Sequence, residues 1–95
     1  MVQKLVYRYE DENGFGPFYN ALESLKMRGD DGWRDCLDSK EALEEWFLSR
    51  NIILDKKKYH VGIYLINFPS DFEAKVLPGC THISFKTDWI VEKIN

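Results

Sequence analysis

From residue 3 to residue 9 the chain alternates, with Leu5, Tyr7 and Tyr9 falling on one side and Lys4, Val6 and Arg8 on the other. A period of two in β-favouring residues predicts a strand over 3–9. Asn13-Gly14 then supplies turn chemistry. Pro17 suits a first helical position, because the N–H it lacks is one that a helix start leaves unused. Phe18, Ala21, Leu22 and Leu25 follow at helical spacing before Gly29, which predicts a helix over 17–27. The stretch RGDDGWRDCLD, residues 28–38, is polar and reads as a loop. Asp38 and Ser39 then cap a second helix, with Glu41 three after Asp38 in capping-box fashion. Its buried face is predicted at Leu43, Trp46 and Phe47, its outer face at Lys40, Glu41, Glu44 and Glu45, and its end near 49–51.

After residue 58 the pattern changes. YHVGIYLINF, residues 59–68, is β-branched and aromatic and long enough for the middle of a sheet. FEAKVLPGCTHISF, residues 72–85, reads as two strands joined around Pro78-Gly79, and the β-branched tail DWIVEKI as one more. The prediction is a single α+β domain over residues 1–95, a mostly antiparallel sheet of four to five strands with two helices on one face.

Composition sharpens this picture. Forty-four per cent of the residues are hydrophobic, with three Trp, five Tyr and six Phe, which is too rich for a disordered chain. No apolar stretch approaches the ~20 residues a membrane span needs, and two cysteines, Cys36 and Cys80, make no disulfide scaffold. The expected setting is a reducing cytoplasm. The net charge of −3 is unevenly spread: residues 10–55 carry twelve acids against five bases, a balance of −7. Phosphate binding needs clustered Lys and Arg, so direct contact with nucleic acid is not expected, whereas a basic protein surface suits the acidic half.

Candidate catalytic chemistry is thin. Cys36, His60, Cys80 and His82 could meet only through the fold, and their spacing lacks the paired short intervals of a zinc site. Neither cysteine stands at a helix N-terminus that would activate it. Gly14-Phe15-Gly16 lacks the continuation of a phosphate-cradling loop. The expectation is a non-enzymatic protein with no metal and no cofactor.

Two surfaces stand out instead. Glu10, Asp11 and Glu12 form an acidic knuckle beside Phe15, and Asp30, Asp31, Asp35 and Asp38 surround Trp33. An aromatic anchor ringed by charge is the pattern of an interface hot spot. Arg8, on the same side as Val6, has two readings: a surface ion pair with Glu10 or Asp11, or a guanidinium aimed into a pocket that binds an anion.

The residues VYRYED, GFGPF, SKEALEEWF and VGIYLI together resemble a group of small phage and prophage proteins. The shared features are Tyr7, Arg8 and Glu10, then Gly14, Gly16, Pro17 and Phe18, then Leu43, Trp46 and Phe47, and finally Tyr64. A segment that the group often carries between its two helices is shorter here. The resemblance implies a stoichiometric inhibitor of a bacterial defence protein, in the manner of anti-CRISPR proteins, with a CRISPR effector or another nucleic-acid-binding protein as partner. The inhibitor would act as a monomer or a homodimer, through residues 10–15 and 28–38. The alternative is a small-molecule protein holding a nucleotide or ADP-ribose at Arg8, since the Tyr-Arg strand also resembles the opening of ADP-ribosyltransferases.

Overall fold

A computed structural model describes residues 2–17, 32–34, 36–72, 82–84 and 88–95. Strand β1, Val2–Glu10, covers the predicted alternating segment. It pairs antiparallel with the long strand β3, His60–Phe68, in one continuous register from Val2 opposite Phe68 to Glu10 opposite His60. The tail forms β5, Ile90–Lys93, which pairs with the other edge of β3. The sheet order is therefore β1-β3-β5, with the long apolar strand central. The two short strands, β2 (Gly32–Arg34) and β4 (His82–Ser84), pair with each other in a separate two-stranded sheet.

This corrects the predicted architecture. Instead of one sheet of four to five strands with two helices on a face, the described residues contain a three-stranded antiparallel sheet, a separate two-stranded ladder and one helix. Period-two alternation identifies strands but carries no information on partners. Residues 32–34, expected within a loop, pair through their backbones. Beyond β1, the sheet continues among the described residues as the bridge Tyr7 to Leu37, closed by two N–H···O bonds of 2.8 and 3.0 Å. The predicted helix over 17–27 lies, apart from Pro17, outside the described residues, as does the turn at Pro78-Gly79.

Helix α1, Lys40–Ser49, shows how local chemistry sets an element. Ser39 is the N-cap, and its Oγ accepts the Ala42 N–H at 3.1 Å. The capping residue is thus Ser39 and not Asp38, so Glu41 stands one position short of a capping box. At the other end Asn51 adopts a left-handed φ of 57°, which an Asn tolerates better than most residues. The N–H groups of Asn51 and Ile52 return to the carbonyls of Leu48 and Phe47, satisfying two orphan acceptors in a Schellman closure. No helix among the described residues is long and apolar enough to cross a membrane.

Both faces of the sheet carry apolar side chains, and the split follows the alternation. Val6, Ile66 and Phe68 pack with buried Cys36 on one face. Trp89 closes edge-on over Phe68, with ring centroids 4.6 Å apart. On the opposite face Tyr9 and Leu37 meet Leu43 and Phe47 of α1, and the Tyr9 and Phe47 rings form an edge contact at 4.9 Å. Trp46, predicted as core, is only half-buried and carries the Arg50 guanidinium 4.1 Å from its ring centroid.

Candidate functional site

The last residues of β1 hold the most concentrated chemistry in the described chain. Alternation puts Val6, Arg8 and Glu10 on one face, opposite Tyr64, Gly62 and His60 of β3. Lys93 of β5 lies opposite Tyr64 on the far side, so charged and hydroxyl groups from three strands converge at one end of the sheet.

Glu10 is at the centre and wholly buried. Its Oε1 accepts the Tyr64 hydroxyl at 2.5 Å, and its Oε2 accepts Lys93 Nζ at 2.9 Å. His60 Nε2 stands 3.6 Å from Oε2, and Arg8 Nη1 stands 3.9 Å from Oε1. A carboxylate can reach this far across β3 only because residue 62 has no side chain. A Cβ on Gly62 would stand 2.6 Å from Glu10 Cδ, closer than any real contact.

Arg8 is also buried, at 2% exposure, and its Nη1 donates to the Gly14 carbonyl at 3.2 Å. The guanidinium therefore ties the strand to the turn that follows it. Burial, then the hydrogen bond to the Glu10 carboxylate, pushes the Tyr64 hydroxyl well above the ordinary tyrosine range, while Arg8 opposes that shift. The hydroxyl stays protonated and remains a donor. Lys93 and His60 are each about half exposed, so the Lys93 ammonium and the His60 imidazole stand at the solvent edge of the cluster.

The three consecutive acids of the opening turn have three different fates. Glu10 is enclosed and does not contribute to an exposed knuckle. The Asp11 carboxylate accepts the N–H groups of Asn13 and Phe15 at 2.9 and 3.0 Å, folding the turn around Gly14, whose φ is 82°. Glu12 is the exposed one, at the tip, while Phe15 is half-buried. Asp38 is exposed just ahead of the α1 N-cap. Asp30, Asp31 and Asp35 lie outside the described residues, and for Trp33 the description extends to its backbone in β2.

Sequence reasoning missed the convergence on Glu10. The available signal was Gly62, an isolated glycine inside a strand-forming run, which marks a close approach of other atoms. Cys36 and His60, considered as metal ligands, separate: Cys36 is in the apolar core and His60 is at the rim of the ionic cluster.

A second acidic surface arises on α1. Glu41, Glu44 and Glu45 share one stripe of the helix with Leu48, at spacings of three, four and seven residues. Glu41 and Glu45 are exposed and Glu44 is half-buried beside Tyr9, whose hydroxyl is pushed up by burial and then by the Glu44 charge. The ion pairs among the described residues converge on Glu10, and none is drawn to this stripe. In comparisons with protein-family models, curated proteins and solved structures, the chain has no match.

Proposed function

We propose that the chain is a non-catalytic binding protein that inhibits a bacterial defence protein by covering a basic surface on it, such as a groove built for nucleic-acid phosphates. The observation that supports this reading most directly is the exposed stripe of carboxylates on α1. Glu41 and Glu45 are solvent-facing on a helix capped at both ends, so their charges are held in fixed register. Glu12 and Asp38 add exposed acids on the turn after β1 and on the approach to α1. Fixed negative charges at helical intervals can stand in for phosphates and steer association with a basic partner.

The rival reading, a nucleotide or ADP-ribose held by Arg8, has less support, because the guanidinium is buried and engaged with Gly14 and Glu10. The test is to capture partners from a bacterial lysate and measure the affinity of the recovered protein for the chain and for Glu41→Lys/Glu45→Lys. Binding at least tenfold weaker in the double variant, with an affinity that falls steeply with salt, is the expected result. Equal affinity of the folded double variant would remove α1 from the interface. A nucleotide-dependent rise in melting temperature that Arg8→Lys abolishes would favour the rival.

A further inference from the structure

The acidic stripe of α1 runs into an apolar hollow. Where the helix closes, Phe47, Leu48, Ile52, Ile53 and Leu54 surround a space of 190 Å³ that is floored by Tyr9 and open to solvent. Ile53 is 96% exposed and Leu48 74% exposed, although a hydrophobic wall stands beside them. The Schellman closure explains why this feature is firm: the chain after Asn51 is pinned back onto the helix, and Ile52 packs in the same cluster as Phe47. The lining carries one charge of each sign. Glu44 of the helix and Lys56 of the segment after it both line the hollow.

We infer that this hollow is a docking site for a partner peptide segment with one large apolar anchor and basic residues on one side of it. The inference rests on the reading of α1 as the face presented to a basic partner, and it specifies how that partner is held. An apolar cavity of about 150 Å³ accepts a benzene ring, so the hollow has room for a leucine or an aromatic side chain. Charge complementarity orients the segment: basic residues meet Glu44 and Glu41 and keep away from Lys56.

Helix geometry sets the spacing. Glu44 and Glu41 stand roughly 6 and 10 Å along the axis from Leu48. In an extended segment rising about 3.3 Å per residue, the basic side chains therefore fall two and three positions from the anchor.

The probe is a capped hexapeptide, Lys-Lys-Gly-Leu-Ser-Gly, titrated into the ¹⁵N-labelled full chain. One control peptide has serine in place of leucine and another has glutamates in place of the lysines. Amide shifts centred on Leu48 and on residues 52–54 are expected, with at least fivefold weaker binding for each control. Leu48→Gln/Ile53→Asn, two exposed substitutions checked by circular dichroism, should abolish the difference between the leucine and serine peptides. Equal binding of those peptides to the unaltered chain overturns the inference. So does a set of shifts that appears on raising the protein concentration alone, which would make a second copy the occupant. If Leu48→Gln/Ile53→Asn inhibits the captured partner fully while Glu41→Lys/Glu45→Lys does not, the hollow is not the anchor site but the binding reading survives. Peptide docking at the hollow with inhibition insensitive to the acid reversals has the opposite meaning: the α1 acids leave the inhibitory interface and the peptide site stands.

Discussion

Carboxylates at the end of β1 and carboxylates along α1 are chemically alike and physically opposite. Glu10 is enclosed, with a tyrosine, a lysine, an arginine and a histidine gathered around it. Glu41 and Glu45 face water on the outer side of a ten-residue helix. A buried charge is tolerated only when its surroundings supply opposite charge and hydrogen bonds, so Glu10 is committed to the fold. A solvated charge that pairs with none of the described residues is available to a partner. The lesson is that an acidic run in a sequence is not one feature: Glu10, Asp11 and Glu12 are neighbours that serve the interior, the turn and the surface respectively.

The contrast predicts a graded set of outcomes. Glu10→Ala should have the largest effect on stability, a loss of about 3–5 kcal/mol, the range for removing one partner from a buried ionic arrangement. Urea unfolding of that variant, against little change for Glu41→Ala, measures the difference between the two regions directly. Gly62→Ala comes next, because its methyl must displace the Glu10 carboxylate, and overpacking of this kind costs about 1–3 kcal/mol. If Glu10→Ala and Gly62→Ala are combined, the cost of the second substitution should shrink, since the group it strikes is gone.

Tyr64→Phe removes the donor to Oε1 and should cost about 1.5 kcal/mol at neutral pH. It also changes the alkaline limb of the stability curve. The folded-state pKa of Tyr64 is raised above its ordinary value of 10.0. The unfolded chain therefore gives up this proton first, and the contribution is fully present below pH 10 and lost as pH rises towards the folded value. Thermal melts between pH 8 and 11 should show a shallower alkaline decline in Tyr64→Phe than in the unaltered chain. The smallest stability effect belongs to Glu41→Lys/Glu45→Lys, within roughly 0.5 kcal/mol of the parent as expected for exposed positions. A large loss of stability there would mean that the stripe is structural and would erase the distinction between the regions.

Much of the local structure was legible in the residues. The alternation before Glu10 marks β1, the apolar run after Tyr59 marks β3, and the spacing of Leu43 and Phe47 marks α1 together with the face it buries. These readings work because strand and helix periodicities are properties of neighbouring residues. Even the position of Arg8 on the Val6 side of the strand follows from counting. Of the two capping candidates, Asp38 and Ser39, the helix uses Ser39; both can accept the same type of bond, so counting alone does not choose between them.

Neither the partition into two sheets nor the site could be read the same way. Which strand meets which depends on contacts between segments far apart in sequence: Glu10 and Lys93 are 83 residues apart and touch at 2.9 Å. For β1, β3, β5 and α1, sequence by itself determined the type of element and which side chains share a face, because those follow from local geometry and apolar periodicity. Only the tertiary structure decided that Glu10 is interior while Glu41 and Glu45 remain outside. Desolvation acts on a charge through everything packed around it, and for Glu10 that packing comes from strands paired across the length of the chain.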